Sequence, residues 1–377
     1  MEDGMRVLAL VDSPDHVCCR YRIRAFEPAL ARAGWSLSYE PLQRNPFSRL
    51  AQLAGARHHD AVILQRRLLS QWELRILRKY ARYLVFDFDD AVLLRDSYDR
   101  RGPRSPRREY RFGAVVRIVD SVIAGNDFLA DCATRAGAQA SRVCTIPTCI
   151  EPALYPETSP HRAVGRAASY VDLVWIGSSS TLKGLEREQP LWNRLGREIP
   201  GLRLRLICDR FPKFETLPIV PVPWAREWEA HDLAAGQIGI SYLPDDLWSR
   251  GKCGLKVLQY QAARLPVVAN PVGTQAEMIE PGRTGFLPVT SDQWVEAVRA
   301  LASDPELRQR MGRLARQHVE SAFSVEKWSE AFLAAISGTR KLVPVSSSPP
   351  RRTESMAVSD PLLLGMKTGQ LGSRRAG

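Results

Sequence analysis

Short apolar runs alternate along the first half of the chain with segments whose apolar residues recur at helical spacing. The runs at 6–11 (RVLALV), 61–65 (AVILQ) and 83–88 (YLVFDF) are predominantly apolar, which is typical of strands buried on both faces of a parallel sheet. The segments 24–33 and 71–82 follow two of these runs with helical periodicity. A strand at 120–124, a helix over 127–135 and a strand at 143–146 continue the series. This alternation predicts an open α/β domain.

A second series of the same kind follows an interruption at 151–165, where three prolines and polar residues break the periodicity. Its predicted strands are 171–176, 203–208, 219–222, 238–242 and 266–269. Its predicted helices are 185–199, 227–235, 256–263, 292–302, 305–322 and 324–336. We therefore predict two α/β domains, at 1–160 and 161–322. Residues 339–377 are rich in Ser, Pro, Gly and Arg without a sustained period, which predicts a disordered tail.

Composition narrows the class of protein. The 377 residues include 45 % hydrophobic and 25 % charged residues, as in an ordinary globular protein. Apolar runs stay well short of the roughly 18 to 20 residues that a bilayer span needs, and acids precede the first run, so we expect neither a transmembrane helix nor a signal peptide. Seven scattered cysteines without a CxxC pair favour the reducing cytosol and no structural zinc site.

The charge is strongly positive, with 53 Lys and Arg against 41 Asp and Glu. Eight arginines lie between Arg95 and Arg117, among three acids. This segment has two open interpretations: a solvated arginine-rich surface, or a patch for an anionic lipid headgroup or a phosphate-bearing acceptor. The second permits peripheral contact with the inner membrane face. We expect no nucleic-acid partner, because the chain has no RRM, KH, helix-turn-helix or zinc-finger pattern.

In a pair of open α/β domains, a ligand site is expected in the cleft at the carboxyl ends of the strands. Several common sites are excluded by their missing motifs. The chain has neither a GxGxxG after a strand nor a GxxxxGK[ST] loop, which argues against dinucleotide binding and P-loop phosphoryl transfer. It also has no HExxH and no GxSxG, which argues against a zinc hydrolase and an α/β-hydrolase.

A turn of small residues follows the predicted strand 171–176. It runs from Gly177 through three serines and a threonine to Lys183 and Gly184 at the start of a helix. Such a turn lets backbone amides and a cation approach a phosphate. An ordinary strand-to-helix turn with a surface lysine is the alternative.

Three cations, Arg250, Lys252 and Lys256, cluster where another helix is predicted to begin. Cations at a helix start oppose the helix dipole, which costs about 0.3 to 1 kcal/mol each when exposed. An anionic ligand would reverse that penalty. Together with Lys183, the cluster predicts a pyrophosphate site, and exposed cations without a ligand are the alternative.

These segments resemble the family 4 retaining glycosyltransferases of GT-B fold, the group 1 type. The strand followed by Gly177 and by Lys183-Gly184 is similar to the family's donor-phosphate element, with Ser178 where an Arg is usual. The stretch 251–273 resembles the family's E-G-F-G-x-x-x-x-E block, the A-x-G-x-P-V-V-A segment and the P-x-G loop.

Both glutamates of that block are replaced here. Gly251 stands for the first Glu and Gln259 for the second, while Gly254 matches the turn glycine. Gly273 and Glu277 match the loop glycine and the G-x-x-x-E run that follow. In relatives the second Glu holds the ribose, so the resemblance implies that Gln259 shares this task. The form G-K-C-x-x-K-x-L-Q resembles a divergent branch that keeps the lysines.

A D-x-D-D sequence, Asp87 to Asp90, ends the predicted strand 83–88 and lies on the acceptor side according to the resemblance. Three roles stay open: an acceptor-binding or structural role in the cleft, a cap at the strand end, and a metal site. GT-B enzymes of this kind generally need no metal, so we expect none.

The resemblance implies two Rossmann-like domains facing across a cleft, with a terminal helix at 323–338 that crosses back to the first domain. It implies transfer of a sugar from a nucleotide diphosphate sugar to a glycan, a lipid-linked glycan or a small molecule. Retention of configuration, no cofactor and a cytoplasmic location are part of this expectation. The candidate catalytic residues are Lys183, Lys256, Asp89 and Asp90. The candidate donor-binding residues are Gly177, Ser178, Lys183, Arg250, Lys252, Gly254, Lys256, Gln259, Gly273 and Glu277.

Two alternative functions accompany this prediction. The missing glutamates are compatible with a catalytically inactive nucleotide-sugar-binding protein, and the tandem α/β layout with a sugar-nucleotide epimerase.

Overall fold

The computed structural model describes residues 4–156 and 170–339. Residues 6–145 contain a parallel sheet with the strand order β2-β1-β3-β4-β5-β6. Its strands are β1 (Arg6–Val11), β2 (Ser36–Pro41), β3 (Ala61–Gln65), β4 (Tyr83–Phe88), β5 (Ser121–Ala124) and β6 (Val143–Thr145). Its helices are α1 (Val17–Arg22), α2 (Glu27–Arg32), α3 (Pro46–Gly55), α4 (Gln71–Tyr80), α5 (Pro106–Ile118) and α6 (Asp127–Arg135).

A second six-stranded parallel sheet has the order β12-β11-β10-β7-β8-β9. Its strands are β7 (Val171–Ile176), β8 (Leu202–Cys208), β9 (Ile219–Pro223), β10 (Ile238–Ser241), β11 (Val267–Ala269) and β12 (Gly285–Phe286). The helices that follow in the chain are α7 (Ser179–Arg187), α8 (Gln189–Glu198), α9 (Glu229–Ala234), α10 (Leu247–Arg250), α11 (Leu255–Ala262), α12 (Gln275–Met278), α13 (Ser291–Ser303), α14 (Pro305–Ala322) and α15 (Val325–Ser337). The predicted fold class, two parallel α/β domains, is confirmed.

The boundary predicted at 160/161 lies outside the described residues. The tail predicted for 339–377 also lies outside them, apart from Thr339. None of the helices in the described ranges combines the length and the apolarity that a bilayer crossing requires.

The predicted strands are found within one or two residues because their apolar side chains are buried on both faces, as in β3, where all five residues are buried. Strand β2 lies at a sheet edge with a mixed exposed and half-buried pattern, and the sequence prediction missed it. Helix α7 begins at Ser179, six residues before the predicted start. The backbone N–H of Ser178 donates to Thr181 Oγ1, and Asp209 accepts from the backbone N–H of Ser179, so polar side chains satisfy this helix start.

The last helix, α15, packs on the first sheet, against β3, β4 and β5, although the second domain precedes it in the chain. Phe332 is 1 % exposed, and its ring stacks on Phe26 with the centroids 4.2 Å apart. Backbone hydrogen bonds between Ile150 and residues 323 and 325 join the start of the helix to the segment that leaves the first domain. Burial of the apolar stripe of α15 thus ties the end of the described chain to the core of the first domain.

Candidate active site

Residues after the carboxyl ends of β7, β10 and β11 form the second domain's side of a cleft. Gly254, with φ +64°, is the residue before α11, and this left-handed conformation favours glycine. A side chain there would also collide with Met278. Gly254 therefore sets the direction in which α11 leaves the loop, and with it the positions of Lys252 and Lys256 on either side.

Lys256 lies in the first turn of α11, with Nζ 4.0 Å from the centroid of the Trp175 ring at the end of β7. The side chain is half-buried and has no carboxylate partner among the described residues. Burial, and secondly the neighbouring Lys252, lower the pKa of Lys256 to about 7. The ammonium group rests on a ring face, which supplies a weak cation–π contact in place of an anion.

Lys252 reaches across the cleft to the first domain. Its Nζ lies 2.7 Å from Oδ1 of Asp90 and 4.7 Å from the centroid of the Trp248 ring. Asp90 Oδ2 also accepts from Arg66 at 2.5 Å. Arg66 follows β3 with φ +58°, a strained conformation for a residue with a side chain, and lies 3.3 Å from Asp89. A cation of each domain therefore meets the same carboxylate.

The three carboxylates of the D-x-D-D sequence have different surroundings. Asp87 is fully buried and accepts hydrogen bonds from Arg22 and Gln65. Burial raises the pKa of Asp87, and this effect outweighs the opposite effect of the Arg22 guanidinium. Burial acts in the same direction on Asp89, but Arg66 and Arg22 outweigh it and lower its pKa. Within the described residues, no three His, Cys, Asp or Glu side chains group as metal ligands would. Asp89 and Asp90 lie at the cleft, whereas Asp87 lies in the core of the first domain.

Gly251 packs closely against Ala91 of the first domain. A Cβ at this position would come within 2.8 Å of the Ala91 Cβ and 2.9 Å of the Ala91 backbone nitrogen. Asn126, at the carboxyl end of β5, donates its amide to the backbone oxygens of residues 250 and 252 at 3.3 and 3.2 Å. In this arrangement Gly251, which the resemblance matches to the first Glu of the family block, has no room for a side chain.

Gln259 takes part in a buried network rather than lining the open cleft. Its Nε2 donates to Glu229 Oε1 at 3.0 Å and to the hydroxyl of Tyr21 at 3.2 Å. The same Glu229 oxygen accepts from Tyr21 at 2.6 Å, and Trp224 donates to the other oxygen at 2.8 Å. Arg20 of the first domain pairs with Glu229 at 3.3 Å. Gln259 is 3 % exposed, so its amide is committed to this contact between the domains.

Arg250, Gly273 and Glu277 line one pocket of about 250 Å³ between the domains, with Asn126–Phe128 as the opposite wall. Arg250 pairs with Asp245 at 3.0 Å at an exposed position. Burial and the neighbouring Asp127 raise the pKa of Glu277. Gly273 has φ +56° and packs on the backbone of residues 249 and 250. The structure thus brings these three candidates together at one end of the cleft.

Gly177 and Ser178 occupy the turn from β7 into α7, beside Trp175 and therefore beside Lys256. Lys183 lies farther along α7, is exposed, and makes no hydrogen bond or ion pair within the described ranges. Its neighbour Gly184 faces the Tyr98 hydroxyl of the first domain, where a Cβ would approach to 2.7 Å. The structure therefore groups Gly177, Ser178 and Lys256 and leaves Lys183 at the rim.

A larger cavity, of about 1010 Å³, opens at the carboxyl edge of the first sheet. Seventeen residues line it, and nine of these are arginines, against the two acids Asp12 and Glu73. All but Trp248 come from the first domain. We call this the arginine cavity. It includes part of the arginine-rich segment 95–117.

The sequence prediction missed Arg66, Asn126 and Glu229. Arg66 directly follows β3 and Asn126 lies two residues after β5, so the rule that selected Asp89 and Asp90 would also have selected them. Glu229 carried no such signal, because it begins the short helix α9 and its partners are distant in the chain.

Part of the chain is similar in sequence to known glycosyltransferases. Residues 246–318 match the family model described as "Glycosyl transferases group 1". A D-inositol 3-phosphate glycosyltransferase of Kribbella flavida is 27 % identical over 265 residues, which cover 62 % of this chain and 60 % of the relative. The enzyme of the same name from Paenarthrobacter aurescens is 39 % identical over 87 residues, 21 % of either chain. The chain thus spans about 60 % or less of the length of these curated relatives.

Solved structures resemble the whole two-domain arrangement. Sucrose-phosphate synthase from Thermosynechococcus elongatus superposes with a TM-score of 0.68 at 18 % identity, over 87 % of this chain and 97 % of that one. Anabaena HepE in complex with UDP and glucose superposes with a TM-score of 0.62 at 17 % identity, over 89 % and 100 %. The fold is that of GT-B glycosyltransferases, and the segment that matches the group 1 model includes α11, Lys252 and Lys256.

Proposed function

We propose that this chain is a glycosyltransferase that moves a sugar from a nucleotide diphosphate sugar, bound by the second domain, to an acceptor bound by the first. One observation carries the proposal. Lys252 and Lys256 flank the start of α11 at the carboxyl edge of the second sheet, and Lys252 meets Asp90 of the first domain across the cleft. The match of residues 246–318 to the group 1 model covers this same segment.

The donor side supplies positive charge where a departing diphosphate needs it. Breaking the bond between sugar and phosphate places negative charge on the diphosphate, and preorganised cations and amides stabilise that charge. Lys256 has no carboxylate partner within the described residues, so a diphosphate would be its first full counter-ion. Lys252 and Lys183 join it in this role, with Arg250 in support. Gly177 and Ser178, in the turn beside Trp175 and Lys256, complete the proposed donor side.

The acceptor side supplies Asp89 and Asp90, which we assign to orienting an acceptor hydroxyl at the cleft. Retention of anomeric configuration and independence of a metal are parts of this proposal that the family resemblance supports. Because lysines face the leaving group in the proposal, transfer would continue in the presence of a chelator. We further propose a cytoplasmic site of action and, as acceptor, a glycan, a lipid-linked glycan or a small molecule. UDP is the first nucleotide to test, since the solved complexes of Anabaena HepE contain UDP or UDP-glucose.

Thermal unfolding of the full chain with UDP, GDP, ADP, CMP and their sugars tests the donor site. A ligand at 100 times its dissociation constant adds about 2.7 kcal/mol to the free energy of unfolding. We expect one nucleotide diphosphate to stabilise the protein and the Lys256→Ala variant to lose this effect. Lys327→Ala, which removes an exposed lysine from α15, serves as the control. No stabilisation by any nucleotide would refute the donor site.

A second measurement separates transfer from the two alternatives. Incubation with the stabilising nucleotide sugar should release the free nucleotide diphosphate, faster when an acceptor is present. Tight binding without release would indicate an inactive binding protein. Conversion of the donor into its epimer, without an acceptor, would indicate an epimerase.

A further inference from the structure

We propose that the acceptor is a phosphate-bearing molecule and that the arginine cavity binds its phosphate. This inference rests on the proposed function, because it names the substrate class for the acceptor half of the same cleft. The cavity of about 1010 Å³ is large enough for a phosphorylated sugar or a lipid headgroup. Its lining is dominated by one side-chain type, the guanidinium, which forms bidentate hydrogen bonds with phosphate oxygens.

The charge of the lining is not balanced within the protein. Five of the nine arginines pair with carboxylates: Arg49 with Glu73, Arg66 with Asp89 and Asp90, Arg67 with Asp12, and Arg95 and Arg101 with Asp99. These acids number five. The remaining arginines, Arg44, Arg107, Arg108 and Arg111, have no carboxylate within ion-pair distance in the part of the chain that the structure describes. The cavity therefore has an excess of four positive charges, which suits a ligand with two or more negative charges.

The four arginines come from two separate elements. Arg44 lies in the loop between β2 and α3, whereas Arg107, Arg108 and Arg111 lie in the first two turns of α5. Arg108 and Arg111 donate to the backbone oxygens of Leu94 and Leu68, which fixes their direction without neutralising them. Arg44 and Arg107 are exposed and have no hydrogen-bond partner within the described residues.

The start of α5 adds a second source of positive potential. Ser105 precedes this 13-residue helix, is 8 % exposed and lines the cavity. Its side chain makes no capping hydrogen bond, so it does not neutralise the backbone N–H groups of the first turn. Arginines in the first turn oppose the helix dipole, and a bound phosphate would remove that opposition.

The cavity joins the proposed site of transfer. Arg66 lines it and also binds Asp90, which binds Lys252 of the donor side. Trp248 of the second domain also lines it, and Lys252 lies over this ring. A phosphate held by Arg44, Arg107, Arg108 and Arg111 would therefore leave the rest of the acceptor pointing towards Asp90 and the donor sugar. Binding through the phosphate and reaction at a hydroxyl would occur at different ends of one molecule.

Calorimetric titration of the full chain with inorganic pyrophosphate at low ionic strength tests the proposal. The test variant is Arg44→Ala/Arg107→Ala, since both side chains are exposed and unpaired and their removal leaves every packed contact in place. Arg310→Ala/Arg313→Ala is the matched control, because it removes two exposed arginines from α14. We expect the affinity to fall at least about tenfold in the test variant, as for the loss of a charge-assisted hydrogen bond, and to stay unchanged in the control. Charge reversal, Arg44→Glu/Arg107→Glu, should abolish the cavity's share of the binding.

Equal pyrophosphate affinity in wild type and both Arg44/Arg107 variants would overturn the proposal. Pyrophosphate that binds at the donor site contributes equally to the affinities of the wild type and the variants, because none of the substitutions changes that site. If nucleotides still stabilise the protein in that case, only the acceptor class is wrong. A different result is that the variants bind pyrophosphate more weakly while no nucleotide binds the wild type. The cavity would then be an anion site, but the proposed function, and with it the acceptor assignment, would be wrong.

Two further probes distinguish the sources of the phosphate. Glucose 6-phosphate represents soluble acceptors, and vesicles of phosphatidylcholine with or without phosphatidic acid represent lipid headgroups. Binding of either probe that is lost in Arg44→Ala/Arg107→Ala supports the proposal and identifies the source. Binding of neither probe would count against a phosphate monoester.

Discussion

Lys252 of the second domain and Asp90 of the first form an ion pair of 2.7 Å across the cleft. Both side chains are less than one third exposed, so solvent screens the pair only in part. Arg66 fixes the other oxygen of the same carboxylate. The pair therefore connects the two domains at the place where the proposed substrates would meet. A diphosphate on the donor side would compete with Asp90 for Lys252.

A double-mutant cycle with Lys252→Met and Asp90→Asn measures the coupling free energy of this ion pair. We expect a coupling free energy of about 1 kcal/mol in urea unfolding, because the pair is partly buried and joins two domains. The exposed pair Arg210–Glu186, at 2.6 Å, provides the control cycle and should give roughly 0.3 kcal/mol. Additive effects of the two cleft substitutions would show that the pair contributes nothing to holding the domains together.

Gly251→Ala tests the contact with Ala91. The added methyl group would overlap the Ala91 backbone nitrogen, so the domains must separate locally, and we expect a loss of about 1 to 3 kcal/mol in stability. Gly55→Ala is the control, since Gly55 ends α3 with a helical φ of −62° and open space around it. That change should be neutral or stabilise the protein by up to about 1 kcal/mol. Equal stability of both variants would mean that the domains are not in close contact at Gly251.

Lys256 should give nucleotide binding a pH dependence of known sign. With a pKa of about 7 in the free protein, its side chain is mostly neutral at pH 8. A bound diphosphate favours the charged form, so binding at pH 8 should take up roughly one proton, and affinity should fall as pH rises from 7 to 9. Calorimetry in two buffers of different ionisation enthalpy measures the uptake. Lys256→Met should bind more weakly and without uptake, and an unchanged uptake would assign the proton to another group.

Phe332→Ala tests the attachment of α15 to the first domain. The ring is 1 % exposed and stacks on Phe26, so its removal leaves a cavity and should cost about 3 to 5 kcal/mol. Glu330→Ala, an exposed change on the same helix, should stay within about 0.5 kcal/mol of wild type. A small effect of Phe332→Ala would mean that the helix is not part of the first domain's core.

The strands could be predicted from the sequence because burial on both faces leaves a local signal, as in β3 and β7. Edge strand β2 lacks that signal, since only part of it is buried. The serines at 178–180 predict a turn, whereas in the structure Thr181 and Asp209 satisfy the start of a helix there. The local order of residues predicted that Lys252 and Lys256 lie together. It did not predict that Lys252 binds Asp90, because that contact depends on how the two domains meet.

Gln259 shows the same limit. Its match to a family position predicted its place on α11, but its partners Tyr21 and Glu229 lie 238 and 30 residues away in the chain. No pattern of neighbouring residues in the sequence predicts hydrogen bonds between residues so far apart. The role of Gln259 towards a ribose stays a prediction, and so does the role of Lys183.

The position of α15 on the first sheet has a consequence for synthesis of the protein. A ribosome releases the first domain's strands well before residues 325–337, which complete its core through Val325, Phe332, Ala335 and Ile336. Domains generally fold from the N-terminus during translation, but here the first domain keeps an open apolar face until the second has been made. The second domain can therefore complete its fold before the first. We expect chaperones to bind nascent chains that are stalled before residue 325, because the apolar face of the first domain is still uncovered in them.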